Sequence, residues 1–147
     1  MGTVLEVRLP GGTPGEDSLV EAVFQEVSKV EAAASLWRPG TELSEVHART
    51  AAGEPAVLSE TLGSLVQEAL AAADLTGGAY SPAVGALVSS YDLRGQGRWP
   101  SEAEKRGAAA LARLEGVRYD PATRTLRLER GVTLDLDGIA KGFALDR

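Results

Sequence analysis

The chain has no cysteine and a single histidine in 147 residues. Disulfides, thiolate metal sites and cysteine nucleophiles are excluded together, although a cysteine-free protein is compatible with either redox compartment. The one histidine, His47, has no second histidine or obvious acid partner at the spacing of a metal site or a nucleophile triad, so it is assigned no catalytic role. No apolar run reaches the roughly 18 residues of a membrane span. The first residues lack the basic patch, apolar stretch and small-residue cleavage site of a signal peptide. As given, the chain reads as cytoplasmic, with its location left open. Basic residues are outnumbered, 15 against 21, for a net charge of −6. No basic stripe stands out, and nucleic acid is not an expected partner.

What is present suffices for one domain, residues 1–147. A chain of this size buries roughly 70% of its unfolded surface. Val4, Leu5, Val7 and Leu9 within residues 2–9 predict a short strand, ended by a turn from Pro10 to Gly15. From Asp17, Val20, Val23, Phe24, Val27, Val30 and Ala34 recur at helical spacing, and Pro39-Gly40 stops the pattern just after Trp37. A second helix is expected from a cap near Ser59 through Leu62, Leu65, Val66, Ala69, Leu70 and Ala73, broken at Gly77-Gly78. The polar, alanine-rich stretch between these helices, which holds His47, reads as a connection. Ser101 and Glu104 form a capping-box pattern ahead of a third helix that fades near Gly116. Val117 and Tyr119, a turn over residues 120–124, then Leu126 and Leu128 predict a hairpin, and a further strand follows the Gly131 turn. Helices early and antiparallel strands late make the fold class α+β.

The chemistry concentrates in residues 133–146, T-L-D-L-D-G-I-A-K-G-F-A-L-D. Val132, Leu134 and Leu136 alternate, so Thr133 and Asp135 project from the other face of an extended segment. An unpaired buried carboxylate is costly, and Asp135 therefore requires a partner. Gly138 switches the chain into a helix near Ile139, whose free N–H groups favour an anion or the acceptor atoms of a ligand. Lys141 lies one turn further on. Each residue also has an ordinary reading: Asp137 as a helix N-cap, Lys141 as a solvated helix residue, Trp37 as a core anchor.

The whole string resembles the D-L-G-G-I-A-K-G-Y-A-V-D signature of the ApbE family, the FAD:protein FMN transferases once described as thiamine-biosynthesis lipoproteins. Met1-Gly2-Thr3 is similar to that family's M-G-T opening. Residues 35–47, S-L-W-R-P-G-T-E-L-S-E-V-H, resemble its S-x-[YW]-x-x-x-S-E-[IL]-S-x-[IVF]-N segment. Residues 76–88, T-G-G-A-Y-S-P-A-V-G-A-L-V, resemble T-G-G-A-F-D-P-T-V-G-P-L-V. The resemblance implies an ApbE-like (T-fold-like) partial domain. It also implies a flavoprotein transferase that binds FAD with Mg2+ and transfers FMN to a threonine of an acceptor protein (protein flavinylation). By position it implies that Met1, Trp37, Ala79, Tyr80 and Ser81 contact the flavin nucleotide, that Asp135 and Lys141 hold it, and that Gly138 offers its carbonyl to the metal. Family members are often extracytoplasmic.

This sequence departs from the pattern at three places. Ser81 stands for an aspartate, His47 for an asparagine, and residues 89–94, S-S-Y-D-L-R, replace L-W-G-F-G. The Gly-Gly-Asp strand, the H-I-[IL]-[DN]-P loop and the aspartate and threonine metal ligands of the family's second half have no counterpart in these residues. Three expectations follow: a transferase completed by further chain or by a partner, a flavin-binding paralogue that does not transfer, or an interaction module that retains only the fold. If a missing half normally covers the late strands, their exposed edges and apolar side should drive homo-oligomerisation. Sedimentation velocity at high concentration is then expected to show species heavier than a monomer, and a clean monomer would count against it.

Overall fold

Residues 4–147 are described by a computed structural model. Among them are six α-helices and one three-stranded antiparallel sheet. The helices are α1 (Glu16–Ala34), α2 (Glu42–Ala51), α3 (Glu60–Leu75), α4 (Gly85–Ser90), α5 (Glu102–Leu111) and α6 (Asp137–Leu145). The strands are β1 (Ala56–Val57), β2 (Val117–Asp120) and β3 (Thr125–Leu128), in the order β1-β3-β2. This is the α+β class the pattern predicts. No described helix is long and apolar enough to cross a membrane.

Helix α3 follows its sequence closely. The Ser59 hydroxyl accepts from Leu62 N at 3.2 Å, satisfying one of the free N–H groups of the first turn. Leu62, Leu65, Val66, Ala69 and Ala73 then fall on one buried face. Each large side chain on that stripe contributes about 1.5–3 kcal/mol of burial. Helix α5 carries the full capping box, with Glu104 N donating to the Ser101 hydroxyl and the Glu104 carboxylate accepting from Ser101 N at 2.7 Å. The bonds that this carboxylate accepts from Ser101 N and the Ser101 hydroxyl, with that from Arg98, hold the Glu104 carboxyl down at about 2. The β2–β3 hairpin also forms as expected, with Tyr119 opposite Leu126 and Val117 opposite Leu128.

Four expectations do not hold. Residues 4–9 form no strand, because no other described segment pairs with them. Helix α1 ends at Ala34 rather than after Trp37, since Ser35 turns extended (ψ 131°) and its carbonyl accepts from the Thr41 hydroxyl at 2.7 Å. The stretch around His47 is a helix, α2: Thr41 caps it, and Leu43, Val46 and Thr50 recur at helical spacing on its buried side. Residues 132–136 form no strand and join no sheet. Their backbone is bonded elsewhere. Leu134 N donates to His47 Nε2 at 3.0 Å, Gly85 N donates to Thr133 O at 3.1 Å, and Asp135 N donates to Pro82 O at 2.7 Å.

The core sits where α1, α2, α3 and α6 meet β3 and residues 132–136. Val30, Leu43, Leu58, Leu62, Leu65, Leu126, Leu134 and Leu136 are all fully buried. The apolar side of the late strands is therefore covered within the chain. Exposed apolar side chains are scattered, with Leu19 and Phe24 on α1, Leu145 on α6, Val57 in β1, Leu75 at the end of α3, and Trp99.

The 82–85 turn and residue 133 approach so closely that only glycine fits at position 85. A Cβ there would stand 2.5 Å from Thr133 Oγ1 and 2.9 Å from the Thr133 carbonyl oxygen. Alanine would add up to about 1 kcal/mol of helix propensity, while forcing an atom against backbone costs about 1–3 kcal/mol. Gly85→Ala is therefore expected to lower the urea midpoint, and an unchanged or higher midpoint would show that the two segments are not in tight contact.

Candidate functional site

One cleft of about 480 Å³ collects residues from four separated parts of the chain. Trp37 comes from the connection after α1, Ala79, Tyr80 and Ser81 from the turn after α3, Leu93 and Arg94 from the loop after α4, and Asp135, Asp137 and Gly138 from the start of α6. Early termination of α1 is what frees Trp37, which is 53% exposed and stands in the cleft wall rather than in the core.

The polar floor is a connected network. Asp135 is 6% exposed, and its Oδ2 accepts from Arg94 Nη2 at 2.5 Å while its Oδ1 accepts from Asp137 N at 3.1 Å. The same Nη2 lies 3.3 Å from Asp137 Oδ2. Trp37 Nε1 donates to that oxygen at 2.9 Å, and the Arg94 guanidinium stands 5.9 Å from the Trp37 ring centroid. Helix α6 begins at Asp137 without a side-chain cap from its N-cap residue, Leu136. Asp137 is thus the first helical residue, and its carboxylate faces the cleft.

Tyr80 forms the apolar side. Its backbone N donates to Thr76 Oγ1 at 3.1 Å, and its ring lies against Gly138, where a Cβ would stand 3.2 Å from Cε2. Glycine at 138 therefore lets the helix start approach the ring. The Tyr80 hydroxyl and Arg94 Nε are both buried with no hydrogen-bond partner among the described residues. Burial, then the Asp135 charge, raises the Tyr80 pKa above its ordinary 10, so the phenol remains a donor. Ser81 acts locally, its hydroxyl accepting from Ala83 N at 3.2 Å. An aromatic pair, two carboxylates and two unmatched buried donors suit a flat, partly apolar ligand with polar edges.

Of the residues singled out in the sequence, the fold brings together Trp37, Ala79, Tyr80, Ser81, Asp135 and Gly138. Lys141 does not line this cleft. It borders a separate groove with Leu5, Phe24 and Val27, between α1 and α6. Met1 lies outside the described residues. Sequence reasoning missed Arg94, 41 residues from Asp135, and its only signal was that residues 89–94 depart from the expected motif. No group of three or more His, Cys, Asp or Glu among the described residues is placed to hold a metal ion.

The sequence profile of the ApbE family matches residues 1–147. The chain belongs to the ApbE family. It is 30% identical over 134 residues to an FAD:protein FMN transferase of Klebsiella pneumoniae, covering 90% of this chain and 42% of that protein. A protein of the same name from Treponema pallidum is 31% identical over 158 residues, covering 100% and 43%. The ApbE protein of Thermotoga maritima superposes with a TM-score of 0.84 at 28% identity, over 94% of this chain and 45% of that one. The flavin transferase ApbE of Vibrio cholerae gives 0.79 at 25% identity, over 94% and 45%. The chain thus spans less than half the length of these ApbE relatives, and the matched part keeps their backbone course.

His47 anchors the site from behind through Leu134 N. Desolvation lowers its pKa from 6.5 to about 4, with the Asp135 charge opposing and Arg94 assisting. The unfolded chain consequently binds more protons between pH 4 and 6.5, and folded stability falls as pH drops through that window. His47→Gln retains an acceptor without a titrating ring. The variant is expected to lose the part of the pH dependence between about 6.5 and 4 that His47 contributes, and urea melts at pH 7, 5.5 and 4 on both proteins would show it.

Proposed function

We propose that this chain forms a flavin-nucleotide-binding part of an FAD:protein FMN transferase. Within a complete site it would bind FAD and take part in magnesium-dependent transfer of FMN to a threonine hydroxyl of an acceptor protein. The observation that carries this reading is the cleft in which Trp37 and Tyr80 flank Asp135, Asp137 and Gly138. Membership of the ApbE family and the names of the relatives from Klebsiella pneumoniae and Treponema pallidum support it.

The reaction breaks the pyrophosphate of FAD, releases AMP, and forms a phosphoester between FMN and the acceptor oxygen. Phosphoryl transfer of this kind depends on positioning and on neutralising charge more than on covalent help from the protein. In this reading Trp37 and Tyr80 hold the ring system, and the exposed Gly138 and Ala79 leave room beside it.

A magnesium ion would supply charge neutralisation at the pyrophosphate, but residues 4–147 do not fit it by themselves. A hard cation takes about six oxygen ligands. Asp135 and Asp137 are already engaged by Arg94, and the Gly138 carbonyl is a single further oxygen. The remaining ligands would have to come from outside the described residues, from further chain or a completing partner. A second reading, a flavin binder that does not transfer, is favoured by this same misfit.

Titration of the chain with FAD, followed by flavin fluorescence with and without magnesium, tests the proposal. Saturable binding is expected, weakened by Asp135→Ala and reduced about two- to tenfold by Trp37→Ala, the equivalent of one aromatic contact. Absence of binding under both conditions would leave family membership intact and remove the functional reading.

A further inference from the structure

We infer that Arg94 is the positioning residue of the nucleotide cleft: its guanidinium serves as the internal counter-cation of Asp135 and Asp137, so that flavin nucleotide binding to this chain needs no divalent metal. This inference rests on the reading of the cleft as a flavin site.

The geometry begins with the two carboxylates. Asp135 Oδ2 and Asp137 Oδ2 converge on one atom, Arg94 Nη2, at 2.5 and 3.3 Å. Two aspartates two residues apart at a helix start would otherwise repel each other and any phosphate that approached. With Arg94 in place the three side chains carry −2 + 1 = −1. Without it they carry −2, in a cleft whose innermost carboxylate is 6% exposed. A buried carboxylate needs a cation or several donors, and Arg94 is the charged group that the fold brings to it.

Arg94 also sets the position of Trp37. The indole is tied at its Nε1 to Asp137 Oδ2, the oxygen that faces Arg94, and its ring is attended by the guanidinium at 5.9 Å. A single cation therefore orders both the acidic floor and one aromatic wall. A hydrated metal could neutralise the carboxylates, but it would not place a planar cation beside the Trp37 ring while one of its nitrogens meets both carboxylates.

The loop that delivers Arg94 is built for that placement. Asp92 adopts a left-handed backbone (φ 50°), its carboxylate accepts from Gln96 N at 3.0 Å, and Arg98 N donates back to Tyr91 O at 2.8 Å. These bonds close a tight turn with Arg94 on its inner side, 18% exposed. Its Nε–H remains buried with no hydrogen-bond partner among the described residues.

The test uses the full chain in a Trp99→Phe background, which leaves Trp37 as the sole tryptophan, since the chain has two. FAD binding is measured in EDTA and in magnesium chloride for the parent, Arg94→Lys and Arg94→Gln, together with Trp37 emission without flavin. The parent is expected to bind equally, within about twofold, in both media, and Arg94→Gln to bind about tenfold or more weakly in EDTA, with partial recovery in magnesium. Arg94→Lys retains the charge but loses the planar guanidinium beside Trp37 and should fall between them, which keeps the test decisive if the glutamine variant does not fold. Trp37 emission should shift in both variants even without ligand, a response that does not depend on flavin. A parent that binds FAD only with magnesium, or variants that bind like the parent, would overturn the inference while the flavin reading stands. No FAD binding by the parent would overturn both, with Trp37 emission then reporting only whether Arg94 orders the indole.

Discussion

The buried carboxylate of Asp135 is the constraint around which this half of the molecule is arranged. Left alone, an ionised aspartate at 6% exposure would cost several kcal/mol, more than most single contacts return. The structure meets that cost from two directions. Arg94 reaches in from a loop between α4 and α5, and the first N–H of α6 donates from within the chain's own next turn. Because these partners lie on different elements, the aspartate fixes the loop, the helix start and, through Asp137, Trp37 relative to one another.

The segment 132–136 links this polar arrangement to the core. Its even-numbered side chains, Val132, Leu134 and Leu136, are buried among the helices, while Thr133 and Asp135 face the 82–85 turn and the cleft. No sheet partner takes up its backbone. His47 Nε2, the Gly85 amide and the Pro82 carbonyl do so instead, and each ties a different neighbour to the segment. A neutral histidine acts here as a hydrogen-bond acceptor in place of a strand, and its burial at that position depresses its pKa.

Site legibility followed motif continuity. Trp37, Ala79, Tyr80, Ser81, Asp135 and Gly138 stand in strings that resemble ApbE motifs, and the fold places all six around one cleft. Arg94 stands where the resemblance breaks, so nothing in the string marked it. Lys141 belongs to the best-matched string, yet it borders the groove between α1 and α6 instead of the cleft. Being on the same helix turn as a site is not the same as facing it.

The sequence by itself determined the α+β class, the capped helices α3 and α5, the β2–β3 hairpin and membership of the ApbE family. Each rests on local signals: caps, turn residues, apolar spacing and contiguous motifs. Tertiary structure decided the rest. Apolar alternation predicts a strand over residues 132–136, but only the neighbours present determine whether that backbone bonds to a strand or, as here, to a histidine and two loop groups. Spacing similarly shows that Asp135 needs a partner without saying which cation arrives. That choice depends on a chain reversal over 41 residues, and a local pattern carries no information about it.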